Sequence, residues 1–403
     1  MVTGVVAVGC TTPETSTPES TVAPTTTEAP TPREIDDVLR IGALLPGGDT
    51  FVGASLESSV LDAEEAINEA GGVFGTDIVV TVRDEGTTTA TASAAIASLL
   101  GDGVDAIIGP SSSLTTLGAL DDAVAAEVVT CSPTATAIAL DDFPDDRLFF
   151  RTIASDSLQA AALAEVAEDT GERDVAIVYL DDAYGRPYAE AVTEELRSLD
   201  LDVVASVPVA VGDDNVTDDI DLVVGSGARV AIVVGAPADA ARFLDAIGRS
   251  DSRALTDVIV NDSVRDAVVR PVIVTLPTSL RTIITGVAPQ ITVRDEDGVS
   301  GPPFEPQVTD CMNLIALAAM EAEYDLPKLI AQQMPSISSG GSVCTSFAEC
   351  ADELGQNQQI DYRGPTGVTE LNREGETAQA RFETFEFDDT GVDTVIGTRT
   401  VGG

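Results

Sequence analysis

Histidine and tryptophan are absent from this 403-residue chain, and lysine occurs once, at Lys328. The lack of histidine removes the commonest general base and the commonest metal ligand together. Ser–Lys chemistry would have to use Lys328, yet Tyr324-Asp325-Leu326-Pro327-Lys328 reads as a helix end followed by a turn. The chain is therefore expected not to be an enzyme, to need no cofactor and to act by binding. Aromatic residues make up only 4% of the chain, so an aromatic cage for a quaternary ammonium is not expected. The acidic runs Asp295-Glu296-Asp297-Gly298 and Asp213-Asp214-Asn215 lack the spacing of a calcium loop, and no metal site is expected. No long uncharged run reaches the ~18 apolar residues of a membrane helix.

Basic residues are scarce as well. There are 21 of them against 68 acidic ones, a net charge of -47, which argues against nucleic acid or an anionic membrane surface as a partner. The charge reads as a solvated surface over a chain long enough for two lobes with full cores.

The N-terminal residues 1–10 are small and apolar and end in Ala7-Val8-Gly9-Cys10. They read as the tail of a lipoprotein signal that lacks its basic part, with Cys10 as the lipidated residue. Residues 11–32 hold nine threonines and five prolines and cannot form a core, so 11–37 is expected to be an extended tether. Of the five cysteines, Cys344 and Cys350 are expected to close a small disulfide loop. Cys131 and Cys311 are either a pair or buried free thiols.

From residue 38 the pattern alternates short apolar runs with helical ones. Residues 39–45, 78–83, 106–108 and 128–131 read as strands, with helices at 55–70, 89–100 and 114–126 between them. Right-handed βαβ crossovers then give a parallel sheet covered on both faces. A second series follows, with helices at 158–170, 188–199 and 238–247 and strands at 175–180, 203–209, 230–234 and 258–260. The expected fold class is α/β, two Rossmann-like lobes with parallel sheets joined by a three-crossover hinge. Lobe 1 is expected to span 38–154 plus 283–345, and lobe 2 to span 155–282 plus 346–403. Residues 286–307 read as loop and 308–323 as an alanine-rich buried helix.

Three small-hydroxyl turns follow apolar runs: Gly109-Pro110-Ser111-Ser112-Ser113, Ser132-Pro133-Thr134-Ala135-Thr136 and Ser155-Asp156-Ser157. Each falls where a strand ends and a helix begins, so free N–H groups and hydroxyls converge on one crevice suited to a small carboxylate. Helix capping is the plain alternative for each of them.

The chain resembles the type I periplasmic binding proteins, in particular the solute-binding lipoproteins of branched-chain amino acid ABC transporters. The resemblance rests on Arg40-Ile-Gly-Ala-Leu-Leu-Pro46, Ile108-Gly-Pro-Ser-Ser-Ser113, Ser132-Pro-Thr-Ala-Thr136, Phe150-Arg-Thr-Ile153, Ser155-Asp-Ser-Leu-Gln159, Tyr184-Gly185 and Gly364-Pro-Thr-Gly367 in that order. It implies that Ser111 or Ser112, with Thr134, Ala135 and Thr136, holds a ligand carboxylate through neutral donors and no buried arginine. It also implies Asp156 for an ammonium group, Tyr184 in the cleft, and Asp262 as the nearest candidate for a second acidic group. The implied protein is a monomeric, lipid-anchored receptor on the outer face of a bacterial membrane, delivering a small amino acid to an ABC permease. Urea, amides or aromatic acids as ligands, and sensing without transport, are the alternatives.

Overall fold

In the computed structural model, which describes residues 35–403 apart from 49, 214, 296–297 and 368–369, together with residues 1, 2 and 4, two β-sheets carry the fold. The chain divides into two units, Met1–Pro32 and Arg33–Gly403, and the second holds every element below. Cys10 and residues 11–34 of the expected tether lie outside the described residues.

The first sheet is five-stranded and wholly parallel, in the order β2-β1-β3-β4-β5. Its strands are β1 (Arg40–Leu45), β2 (Val79–Asp84), β3 (Ala106–Ile108), β4 (Val129–Ser132) and β5 (Phe149–Arg151). Helices α1 (Phe51–Glu69), α2 (Thr89–Gly101) and α3 (Ser113–Ala125) make the crossovers. Strand β3 reads Ala-Ile-Ile without a polar residue because both its faces are covered. Helix starts are set by hydroxyl caps: Thr88 forms a capping box with Thr91, and Ser112 accepts the N–H of Thr115.

The second sheet has seven strands in the order β16-β15-β10-β9-β8-β6-β7. Its parallel part comprises β6 (Asp174–Leu180), β7 (Asp202–Val209), β8 (Val230–Val234), β9 (Asp257–Val260) and β10 (Ile284–Pro289). The covering helices are α4 (Asp156–Asp169), α5 (Gly185–Ser198), α6 (Thr217–Gly225), α7 (Pro237–Arg249), α8 (Arg270–Thr275) and α9 (Thr278–Arg281).

Two expected boundaries move. Ile284–Gly286 pairs with Val258–Val260, so β10 belongs to lobe 2 and the return to lobe 1 comes only after Pro289. The segment expected to be loop then forms a hairpin, β11 (Val293–Asp295) with β12 (Gly298–Ser300), before α10 (Glu305–Ala322). That helix carries an almost unbroken buried stretch from Val308 to Ala319 through the lobe 1 core, and α11 (Pro327–Gln333) follows it. Lobe 1 then continues past 345. The strands β13 (Ser342–Cys344) and β14 (Ile360–Tyr362) pair with each other, and with α12 (Phe347–Gly355) they pack on the lobe 1 core as far as Leu371. Apolar packing on α10 therefore overrides the expected crossing at residue 346. The antiparallel strands β15 (Gln379–Phe387) and β16 (Asp393–Gly402) finish the lobe 2 sheet, which is mixed rather than purely parallel.

Among the described residues, three segments thus cross between the lobes: one over 152–155, one between Pro289 and Glu305, and one over 372–378. Both disulfides form. Cys344–Cys350 closes its short loop, and Cys131–Cys311 settles the open alternative in favour of pairing, tying β4 to α10 with Cα atoms 5.8 Å apart.

Candidate functional site

The turn after β3 can form only with glycine at its first position. Gly109 has φ +97°, and a Cβ there would lie 2.1 Å from the Leu44 carbonyl oxygen. The turn delivers Ser111, Ser112 and Ser113 to the carboxyl end of the sheet, where open α/β folds form their crevices. Ser111 is buried, and its N–H (2.8 Å) and hydroxyl both donate to the carboxylate of Glu85, which also receives the Thr115 hydroxyl. Burial pushes the Glu85 carboxyl up from its ordinary value, with the Ser111 and Thr115 bonds working the other way. Ser112 is exposed and caps α3. Ser113 accepts the N–H groups of Thr136 and Ala137, each at 3.1 Å.

The neighbouring turn is engaged in the same way. The Thr134 hydroxyl donates to the Ser111 carbonyl at 2.7 Å, and the Ala135 N–H donates to the Ser132 hydroxyl at 3.1 Å. Behind it stands Arg151, fully buried at the end of β5. Its Nη1 donates to the carbonyls of Ala135 (3.3 Å) and Ala137 (3.1 Å), its Nε to Glu376 (2.7 Å), and its Nη2 to Glu376 and Asp141. Burial opposes its charge, and the two carboxylates more than restore it, holding the guanidinium above its ordinary pKa. A buried arginine thus stands beside the turn, matched by two acids, and it bonds the carbonyls of the turn.

Asp141 also accepts the hydroxyl of Ser155, the N-cap of α4, at 2.7 Å. The next residue, Asp156, is 2% exposed, and its N–H donates across the lobes to the Thr136 carbonyl at 2.8 Å. Its Oδ2 is buried with no hydrogen-bond partner. Burial, then the charge of Asp262, push its carboxyl well above the usual carboxylate range, against a hydrogen bond from Thr136. Gln159, one turn along α4, donates to Asp262 Oδ1 (2.9 Å) and the Val287 carbonyl (2.8 Å), while its own Oε1 has no partner. Burial likewise raises the half-buried Asp262, which follows β9.

Tyr184, entering α5, packs against apolar clusters of both lobes and stacks edge-on with Tyr188 at 5.8 Å. Burial raises both phenols well above their ordinary pKa, and the charge of Asp156 adds to the effect. The Tyr188 hydroxyl is buried without a partner.

Asp156, Tyr184, Asp262 and Thr136 are therefore brought to one place between the lobes, whereas Ser111, Ser112, Thr134 and Ala135 spend their polar groups within the protein. Glu85 and Tyr188 were not singled out by sequence, and Ser113, Arg151 and Gln159 lay within the quoted motifs without being assigned a place in the site. The nearest cations give the acidic pair little relief, because Arg265 is already paired with Glu383 (2.9 Å) and Asp393 (3.0 Å). Two buried acceptor atoms, Asp156 Oδ2 and Gln159 Oε1, are thus left without donors at this place between the lobes. Among the described residues, no cluster of three metal-ligating side chains is present and no helix is long and apolar enough to cross a membrane.

Residues 38–256 match the model of a protein family described as periplasmic binding protein. A chemotactic signal transduction system substrate-binding protein, BasB, of Halobacterium salinarum is 27% identical over 350 residues, covering 82% of this chain and 83% of that protein. The solved structure of an ABC transporter substrate-binding protein from Desulfitobacterium hafniense in complex with Leu aligns with a TM-score of 0.67 at 19% identity, covering 89% of this chain and 100% of that one. The branched-chain amino acid transporter substrate binding protein LivJ of Streptococcus pneumoniae, in complex with isoleucine, aligns with a TM-score of 0.65 at 19% identity, covering 91% of this chain and 100% of that one. At these identities the two structures share the fold with this chain.

Proposed function

The chain belongs to the periplasmic binding protein family, and from that premise we propose that it is the solute receptor of an ABC importer, closing its lobes on a small amino acid of the branched-chain kind. The observation that carries this reading is the unpartnered, buried Asp156 carboxylate oxygen facing Asp262 and Tyr184 between the lobes. An ammonium group supplies three donors and one positive charge, and so answers both needs at once. Thr136, whose hydroxyl meets Asp156, sits at the junction of the two lobes, so a ligand held there favours the closed state by its differential affinity. The apo-to-closed shift needs no covalent chemistry, in keeping with a family of solute-binding proteins rather than enzymes.

Within this reading Cys10 carries the lipid, residues 11–37 are the tether, and the receptor works as a monomer at the outer face of a cytoplasmic membrane beside its permease. The ligand carboxylate is held by the Ser111, Ser112, Thr134, Ala135 and Thr136 turns, with Ser113 and Glu85 handing over donors as the ligand seats.

The internal bonding of those turns favours a second reading, in which the ligand is an amine or amide with no carboxylate. Calorimetric titration with leucine, its carboxamide, its decarboxylated amine and urea separates the two. Micromolar binding of leucine, about -8 kcal/mol, with clear weakening for the carboxamide and the amine supports the amino-acid receptor. Equal affinity for leucine and the amine overturns the carboxylate seat and leaves an amine receptor. The likeness to a chemotactic signal transduction protein of Halobacterium salinarum favours sensing as the alternative to import. A deletion strain that loses uptake supports import, and one that keeps uptake but loses directed swimming supports sensing.

A further inference from the structure

The three crossovers between the lobes meet around one small cavity. Its lining takes Thr152 from the first crossover, Gln290 from the second and Thr377 from the third, together with Gln307 in the first turn of α10. None of these four belongs to the cleft group of Asp156, Tyr184 and Asp262. The space open to the centres of water molecules is about 30 Å3, and one water needs roughly 10–15 Å3 of it. The cavity therefore has room for one or two waters and is too small for an amino acid.

Part of its polar lining is already bonded. The Thr152 hydroxyl donates to the Gln307 carbonyl at 2.7 Å, and Gln307 Nε2 donates to the Gln290 carbonyl at 2.8 Å, so direct bonds tie the first two crossovers to α10. Two atoms are left over. Gln307 Oε1 and the Thr377 hydroxyl are buried and, among the described residues, have no hydrogen-bond partner. Their residues are only 3% and 6% exposed, which keeps bulk water from them. Buried polar groups are as a rule bonded, to protein or to ordered water.

The chemistry of the lining selects the occupant. Gln307 Oε1 can only accept a hydrogen bond, which disfavours an anion. Among the described residues no carboxylate lines the cavity while Arg381 does, which disfavours a cation. A neutral molecule that both donates and accepts serves the two atoms at once, because the Thr377 hydroxyl takes either role.

We propose that one or two ordered waters occupy this cavity and bridge Gln307 Oε1 to the Thr377 hydroxyl, joining the third crossover to the other two. A water bridge is nearly as favourable in enthalpy as a direct bond. It also lets the crossovers change their spacing by shifting a water instead of breaking a side-chain contact, which suits segments on which any change of lobe angle must act. This solvent site is independent of the solute and of the function proposed above.

The test counts internal waters in the full, solute-free chain by oxygen-17 magnetic relaxation dispersion, which detects those with long residence times. Thr377→Val keeps the side-chain shape and removes the hydroxyl, and it is expected to lose one or two long-lived waters relative to the wild type. Thr377→Ser keeps the hydroxyl and is expected to lose none. A crystal structure of the wild-type chain is expected to place a water oxygen about 2.5–3.0 Å from both Gln307 Oε1 and Thr377 Oγ1, and it decides the matter if Thr377→Val does not fold. The proposal is overturned by equal water counts in all three proteins, by the same loss in Thr377→Ser as in Thr377→Val, or by a crystal structure in which Gln307 and Thr377 bond each other with no water between them.

Discussion

The two sides of the cleft are built on opposite principles. On lobe 1 the hydroxyl-rich turns are satisfied from within, by Glu85 on Ser111, Ser113 on the Thr136 and Ala137 amides, and Arg151 on the carbonyls behind them. On lobe 2 Asp156 Oδ2, Gln159 Oε1 and the Tyr188 hydroxyl are buried with nothing to bond. A buried polar group without a partner costs about 1–3 kcal/mol, and more if charged. Lobe 1 is thus a preorganised wall, and lobe 2 holds a reserve of unmet bonding that a cationic ligand can release.

The comparison breaks most readily at Arg151. Replacing it with Gln leaves Glu376 and Asp141 facing each other in a buried place, and loss of one partner of such a group typically costs about 3–5 kcal/mol. Chemical denaturation of the unliganded Arg151→Gln protein should show a loss of that size. Titration of the surviving fold should show weaker solute binding, because the 135–137 turn loses its outer grip. A stability loss with unchanged affinity would mean that the turn holds itself.

Asp156→Asn tests the other side and should separate stability from binding. Removing a charge that burial and Asp262 already disfavour should raise the melting temperature of the unliganded protein. At the same time affinity for leucine should fall by about 2–3 kcal/mol, roughly 30- to 150-fold, as a charge-assisted bond is lost. The pH dependence has a definite sign. The carboxyl of Asp156 is raised in the unliganded fold, so that fold gains stability as pH falls from the raised pKa toward the ordinary one of an unfolded chain. An ammonium ligand binds the ionised form, so affinity should rise with pH across the range in which Asp156 titrates, above the usual carboxylate range. A titration series in which affinity is flat over that range, or in which Asp156→Asn keeps the slope, removes Asp156 from the ammonium site.

These differences also mark where reading the sequence stops. The strand–helix alternation and the Ser155-Asp156-Ser157 turn past a strand end are local patterns that the sequence shows directly, whereas Tyr184 and Asp262 are placed in the cleft only by the family resemblance. Glu85 and Arg151 gain their roles from partners 26 and 225 residues away. No local signal in Asp84-Glu85-Gly86 or Phe150-Arg151-Thr152 announces those pairings. Cys131 and Cys311, 180 residues apart, were undecidable for the same reason. The boundary at 283 failed because Ile284–Gly286 reads as a strand in either lobe, and only its register against β9 assigns it.

Two smaller effects sharpen the contrast within lobe 1. Thr136→Val removes the hydroxyl that meets Asp156 and keeps the side-chain shape, so affinity should drop by about 1 kcal/mol with little change in stability. Ser112→Ala should do the reverse. Ser112 is exposed and its oxygen accepts the Thr115 N–H as the cap of α3. Losing such a cap costs about 0.5–2 kcal/mol of stability, and the solute affinity should move little, because in the proposed seat Ser112 offers the ligand its backbone N–H, which alanine keeps. If both substitutions weaken binding equally, the Ser112 hydroxyl itself reaches the ligand. The lobe 1 wall would then rearrange on closure, and the division between a satisfied side and a needy side would hold only for the unliganded protein.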